Sequence, residues 1–276
     1  MSSVKIMLNG LPGNVVATIT SHALKDNRFQ VLPYSLTGPA VESDIFSIGN
    51  TEFELIKPDV REKRIAEIIS QEGSFITIDY THPTAVNDNV KFYCDNNLPF
   101  VMGTTGGDRD LIRELVIQSS IPAVIAPNMA KQIVGLQAMM EYAAKTFPGL
   151  FKGFTLDVVE SHQSWKADTS GTAKAMIKYF NELGVEFSES DIKKERDPEI
   201  QKNDWKIPAE YIDGHGWHTY TLDAADKSSK FAITHNISGR DIYAEGTLDG
   251  VLYLNKKISN GHKGCVFSMI DVLKNN

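Results

Sequence analysis

Cysteine is almost absent. The 276-residue chain has two, Cys94 and Cys265, too few for a disulfide framework or a cysteine-built zinc site, and they read as ordinary reduced thiols. Long apolar runs are missing too. No stretch is long enough to span a bilayer, and the opening Met1-Ser2-Ser3-Val4-Lys5 lacks a signal-peptide pattern. No membrane partner is expected, and the expected compartment is the cytoplasm, or a plastid if a transit peptide has been removed. There is no excess of positive charge: 28 Lys+Arg face 35 Asp+Glu, a net charge of −7, so no nucleic-acid partner is expected. Internal repeats and low-complexity tracts are absent as well. What is present supports a packed core, with 42% hydrophobic and 23% charged residues and a length suited to one large domain or two moderate ones.

The first half alternates apolar runs with helical periodicity. Val4–Asn9 reads as a strand, Gly10-Leu11-Pro12-Gly13-Asn14 as a turn, 15–24 as a helix and Phe29–Tyr34 as a second strand. The alternation continues with a helix over 61–71, a strand over 75–80 (FITIDY), a helix over 85–96, a strand at 100–102, a helix over 108–119 and a strand over 122–126. Beyond Pro127 the texture changes. A long helix is expected over 129–146, a strand over 154–160, a helix over 171–183, and strands over 217–224 and 230–237. The last of these alternates through Phe231, Ile233, His235 and Ile237, the pattern of a half-exposed antiparallel or mixed sheet. The charge-rich stretch 186–204 reads as an exposed loop. The expected fold class is α/β: a Rossmann-like parallel-sheet domain, then from about residue 129 a second α+β domain on a mixed sheet.

Three constellations carry chemistry. Gly10-x-x-Gly13 follows the first strand and opens a βαβ unit, where glycines let backbone approach a pyrophosphate at a helix N-terminus. The strict GxGxxG pattern is missing, and Val16 stands where a GxxGxxG variant would put its last glycine. No acid follows the second strand in Tyr34-Ser35-Leu36-Thr37-Gly38, which leans toward tolerance of NADP, though no arginine stands there either. The second constellation is a rim of polar strand ends: Asp79-Tyr80-Thr81-His82-Pro83, Gly103-Thr104-Thr105-Gly106 and Ala126-Pro127-Asn128. The third is Glu160-Ser161-His162-Gln163-Ser164-Trp165-Lys166-Ala167-Asp168-Thr169-Ser170-Gly171-Thr172-Ala173. It offers an imidazole (His162) and an ammonium (Lys166) in a polar loop, ahead of a helix start capped by Ser170 that suits a carboxylate. A solvated loop before a capped helix would look the same. His218 and His235 sit on strand patterns and read as core or interface residues as readily as ligands.

These stretches, together with Gly214-His215-Gly216-Trp217-His218-Thr219 and Ser238-Gly239-Arg240, resemble the 4-hydroxy-tetrahydrodipicolinate (dihydrodipicolinate) reductase family along essentially the whole chain, in its plant-type form. The resemblance implies a domain over 1–128, completed by 241–276, that binds NADPH or NADH, and a domain over 129–240 that binds substrate and builds a homotetramer. It implies His162 and Lys166 as the catalytic pair, with Lys166 as proton donor and His162 binding substrate and stabilising the reacting state. Ser170, Gly171 and Thr172 would hold a carboxylate of a small dicarboxylate substrate. Gly10 and Gly13 would form the phosphate turn, and Asp79, Thr81, Gly103, Thr105 and Asn128 would line the cofactor; no metal is implied. The implied reaction reduces 4-hydroxy-tetrahydrodipicolinate to tetrahydrodipicolinate in lysine (diaminopimelate) biosynthesis.

The chain departs from the family pattern GxxGxMG, because Asn14, Val15 and Val16 replace its basic residue, methionine and final glycine. Gln163 stands where many members have a second histidine, and the segment before Ser170 is one residue shorter than the bacterial form. Two alternatives remain at this level: a relative reducing another cyclic imine or keto acid, and a non-catalytic dinucleotide-binding protein. His162 and Lys166 at this spacing argue against the second.

Overall fold

The computed structural model of the protein describes residues 3–275; Met1 and Ser2, part of the N-terminal stretch read above, and Asn276 lie outside the described residues. The chain divides into two compact units. One runs to Lys131 and resumes at Asp241; the other is Gln132–Arg240.

The first unit opens with β1 (Val4–Asn9), α1 (Asn14–Ala23) and β2 (Phe29–Val31), then β3 (Tyr34–Leu36), β4 (Ile45–Ile48), β5 (Thr51–Ile56) and α2 (Arg61–Glu72). It continues with β6 (Ile76–Asp79), α3 (Val86–Asp95), β7 (Phe100–Met102), α4 (Arg109–Gln118) and β8 (Ala123–Ile125). α5 (Lys131–Thr146) begins at the division. The second unit adds β9 (Phe154–His162), α6 (Gly171–Glu182), β10 (Lys193–Glu195), α7 (Pro198–Asn203), β11 (His215–Ala224) and β12 (Lys230–Ser238). The chain returns to the first unit as α8 (Asp241–Ser259), β13 (Val266–Phe267) and α9 (Met269–Leu273).

In the first unit a six-stranded sheet runs β13-β8-β7-β6-β1-β2, every pairing parallel. Its strands are apolar on both faces, as a doubly covered parallel sheet requires: Ile6, Met7, Leu8, Ile78, Phe100 and Val101 have no exposed surface. The strand expected over 29–34 breaks in two. Pro33 has no amide to donate to a ladder, and beyond it β3 joins β5 and β4 in a separate three-stranded sheet.

The second unit carries the mixed sheet expected from the alternation. β10 pairs β9 in parallel, while β9–β11 and β11–β12 are antiparallel. One face packs on α5 and α6 through Met140, Val158, Met176, Phe180, Tyr220 and Leu222. The stretch 186–204 is not the exposed loop expected from its charge: it supplies the edge strand β10 and the helix α7, with Gln201 fully buried.

The return helix α8 makes a close approach at Gly246, where an added Cβ would lie 1.8 Å from the Met129 carbonyl oxygen. Gly246→Ala must therefore displace backbone, and overpacking of this kind costs about 1–3 kcal/mol. Denaturant unfolding should show a lower midpoint with an unchanged slope. A wild-type midpoint would mean that the helix is not held against this carbonyl.

Candidate active site

In the first unit the chain leaves β1 toward β2, while the next strand of the sheet, β6, lies on β1's other side. Ligands bind outside the carboxyl ends of strands at such a reversal. The Gly10–Gly13 turn sits there. Gly10 has φ +115°, and a Cβ on it would lie 2.3 Å from the Tyr80 carbonyl oxygen at the end of β6, so only glycine lets the two turns meet. Gly13 N–H bonds the Gly10 carbonyl (2.9 Å), and Gly13 caps α1 without a side-chain acceptor. The first-turn amides that follow have no carbonyl ahead of them and suit a phosphate. The turn is braced by residues that sequence reasoning weighed only for their lack of charge. Ser35 Oγ accepts from Leu11 N–H (3.2 Å), and Thr37 Oγ1 donates to the Leu11 carbonyl (2.7 Å). Val16 is 1% exposed, inside the core, so a glycine there would leave a cavity rather than a closer fit.

Asp79, expected to line the cofactor, has no exposed surface. Its carboxylate accepts from Thr81 N–H (3.1 Å) and Oγ1 (2.9 Å), Asn89 Nδ2 (3.1 Å), Tyr93 Oη (2.6 Å) and Thr104 Oγ1 (2.5 Å). Both oxygens are engaged, so Asp79 fixes the rim instead of facing a ligand. Tyr80 joins two predicted positions. Its ring would lie 2.3 Å from a Cβ on Gly103, and its hydroxyl bonds Thr247 (2.6 Å). Thr105 is exposed, and Asn128 Oδ1 accepts from Ala130 N–H (2.9 Å); the described contacts do not tie these two to the glycine cluster. A glycine-lined cradle beside free helix amides fits a dinucleotide.

In the second unit β9 runs two residues past its expected end, so His162 is on the strand, not in the loop. The inter-strand ladder fixes it, and its ring faces the row His218–His235 on β11 and β12. His162 Nδ1 lies 3.2 Å from the His215 carbonyl. A carbonyl can only accept, so Nδ1 carries the proton. The neutral ring then offers its Nε2 lone pair to His218 Nε2, 3.3 Å away. His215 is settled likewise: Nδ1–H donates to the Ile212 carbonyl (2.9 Å) and Nε2 accepts from Ser161 Oγ (2.8 Å). Burial, then the neighbouring His218, pushes the His162 pKa down to about 4. His235, both of whose nitrogens are buried without partners, is pushed down to about 4 by the same causes.

Glu160, which the sequence pattern gives no role, is fully buried. Oε1 accepts from Arg196 Nη2 (2.5 Å) and Oε2 from Ser170 N–H (3.1 Å), with His218 Nε2 at 3.7 Å. Burial works to raise its pKa, but His218, Arg196 and the Ser170 amide outweigh it and hold it at about 2. Lys166 Nζ bonds Asp168 Oδ1 (2.7 Å). Ser170 Oγ caps Thr172 N–H (3.2 Å), and the exposed Gly171 amide ahead of it is open to a ligand. The loop and helix start thus bring His162, Lys166, Ser170, Gly171 and Thr172 into one segment. Arg196 was missed because a charged run reads as solvated; its arginine among lysines and acids carried no separate signal.

Donor atoms of Glu160, His162 and His218 lie within 4.8 Å of one another. They do not suit a metal, because both Glu160 oxygens are committed and a guanidinium stands beside them. Among the described residues no helix is long and apolar enough to cross a membrane.

Comparison with known proteins covers nearly the whole chain. Residues 4–129 match the family described as dihydrodipicolinate reductase, N-terminus, and residues 133–273 match dihydrodipicolinate reductase, C-terminus. The 4-hydroxy-tetrahydrodipicolinate reductase 1, chloroplastic, of Arabidopsis thaliana is 41% identical over 99% of this chain and 78% of its own length. The probable 4-hydroxy-tetrahydrodipicolinate reductase 1, chloroplastic, of Oryza sativa subsp. japonica is also 41% identical, over 99% of this chain and 79% of its own. Among solved structures, the dipicolinate-bound dihydrodipicolinate reductase of Paenisporosarcina sp. TG-14 shares the fold, with TM-score 0.67 and 16% identity over 98% of each chain.

The histidine pKa values set a stability window. His162 and His235 at about 4, against 6.5 when free, mean that the unfolded chain takes up protons first as pH falls. Their stabilisation is complete above about 6.5 and declines toward 4, and Glu160 adds a further loss from 4.5 down toward 2. The thermal midpoint should fall across pH 6.5 to 4, and less steeply in His235→Phe. A midpoint flat across that interval would contradict the buried neutral imidazoles.

Proposed function

The chain belongs to the dihydrodipicolinate reductase family, and within that family we propose that His162 and Lys166 carry the reaction, on a substrate held by the start of α6. The enzyme reduces 4-hydroxy-tetrahydrodipicolinate with NAD(P)H and a proton to tetrahydrodipicolinate, NAD(P)+ and water, a step of lysine biosynthesis. Likeness to named reductases along the whole chain excludes the non-catalytic reading. The observation that supports the residue assignment is the convergence of His162, the Lys166 loop and the Ser170 cap around buried Glu160.

Bound NADPH or NADH supplies the hydride. The free amide of Gly171 and the Thr172 hydroxyl, at the helix start capped by Ser170, bind one substrate carboxylate, where helix-terminal charge is favourable. Lys166 Nζ donates the proton to the substrate, with Asp168 holding the ammonium in place beforehand. To His162, its tautomer fixed by the His215 carbonyl, we assign substrate orientation, through the Nε2 lone pair that His218 holds until substrate arrives. The turn Gly10–Gly13 holds the dinucleotide phosphates, and Gly103, Thr105 and Asn128 line the nicotinamide side. Asp79 and Thr81 act there as supports of the rim. We assign cofactor binding to the first unit and substrate binding, with assembly of a homotetramer, to the second. The proposal keeps the enzyme in the cytoplasm, or in a plastid like the relatives named chloroplastic.

A cofactor-oxidation assay with freshly generated substrate, run separately with NADH and NADPH, tests the proposal. Wild-type protein should oxidise the cofactor only when the substrate is present. Lys166→Ala should lower kcat about 10²-fold or more, as loss of a general acid does, with the cofactor KM unchanged. Near wild-type turnover in the variant would remove Lys166 from the chemistry.

Asn14, exposed on the first turn of α1, stands where the family has its basic residue. A lysine there adds a charge-assisted contact to a phosphate, about 1.5–3 kcal/mol when well placed, against about 0.3–1 kcal/mol for a cation at a helix N-terminus. Asn14→Lys should tighten binding of both dinucleotides in calorimetric titration, the gain shrinking as salt is added. Equal affinities would show that other contacts already supply what the turn lacks.

A further inference from the structure

Two tethers hold the segment between His162 and α6, and both end on one ion pair. Its middle is held at the Lys166 carbonyl, which accepts from Arg196 Nε (2.9 Å); its end is held at the Ser170 amide, which donates to Glu160 Oε2 (3.1 Å). Arg196 and Glu160 bond each other through Nη2 and Oε1. The remaining guanidinium donor, Nη1, reaches the Glu195 carbonyl (2.9 Å) and the Glu160 carbonyl (3.4 Å), so the fork also stitches β10 to β9. The segment has little other cover: Trp165, beside Lys166, is 71% exposed. The pair itself is buried, with Glu160 at 0% and Arg196 at 17% side-chain exposure.

We propose that Arg196 and Glu160 are a positioning pair, which sets the Lys166 loop and the carboxylate-binding start of α6 in register with His162 without touching substrate. The proposal rests on the reading of Lys166 and α6 given above. It explains why an arginine is needed. A lysine could neutralise Glu160, but its single ammonium has no planar fork to serve the carboxylate and the Lys166 carbonyl together.

The test separates positioning from structural support. Removing one partner leaves a buried charge alone, whereas removing both leaves none, so a neutral pair recovers stability. Glu160→Gln, Arg196→Met, Arg196→Lys and the double variant E160Q/R196M are compared by thermal unfolding and by steady-state kinetics with NADPH. Each neutralising single should lose stability and about 10²-fold in kcat, the scale for displacing a reacting group by about 1 Å. Arg196→Lys should fall between them and wild type. The double variant should regain most of the lost melting temperature while its kcat stays about 10²-fold down, with the KM for NADPH at the wild-type value. If kcat returns together with stability, the pair is structural support only and the proposal is overturned. If the singles fail to fold, the double variant alone gives the answer. Wild-type protein that leaves the substrate unreduced counts against the function reading instead. The pair is then judged by titration with pyridine-2,6-dicarboxylate: the double variant should bind at least about 10-fold more weakly, the loss expected for a displaced hydrogen-bond anchor, and equal affinity overturns the proposal.

Discussion

A carboxylate with no exposed surface stays ionised only if its surroundings replace the water it has lost, and Glu160 is such a group. Its partners come from four places in the chain: the strand beside it (His218), the edge-strand end (Arg196), the helix cap (Ser170) and, through the histidine row, the end of its own strand. A buried ion pair is weak evidence of stability, because desolvation can exceed the attraction. Its value here is geometric. Four segments must arrive together to satisfy one charge, and the residues assigned to catalysis ride on those segments.

The first unit solves a similar problem in a similar way. Asp79 is buried at the end of β6, and its carboxylate gathers hydroxyl and amide donors from α3 and the turn after β7. Tyr93 extends the network to Asn9 (3.1 Å), at the end of β1. Neighbouring strand ends are thereby fixed by one acceptor, and glycines provide the close approaches between them. Dinucleotide-binding turns need this stiffness, since a phosphate is held by backbone amides that cannot adjust as side chains do.

The βαβ alternation of the first unit and the mixed sheet of the second were legible because buried parallel strands and half-exposed strands leave different apolar patterns. The turn at Gly10, the polar strand ends and the segment from His162 to Thr172 were legible as chemistry. What escaped has identifiable causes. The hairpin of β4 and β5 is short and mixes Thr51, Glu52 and Glu54 with its apolar residues. Helix α8 carries Gly246 and Gly250, which weaken a helical reading, although Gly246 is required by its close approach to the Met129 carbonyl. His162 reads as loop because polar Ser161 and His162 end the apolar pattern, although the ladder with β11 runs on through them. Arg196 and Glu160 could not be paired from sequence at all, since 36 residues separate them and only the parallel β9–β10 pairing brings them together.

The second unit interrupts the first, and this orders events at the ribosome. The strands β2, β1, β6, β7 and β8 emerge before any of the second unit, yet β8 acquires its outer neighbour β13 only when residues 266–267 appear. Until then one side of a parallel sheet stands open, and the core under α8 lacks its cover. The nascent first unit must wait out the synthesis of more than a hundred residues, Gln132–Arg240, with that edge unpaired. An unpaired parallel edge is a template for association with another chain. The inserted unit, whose β9, β11 and β12 are joined to one another, can fold during that interval.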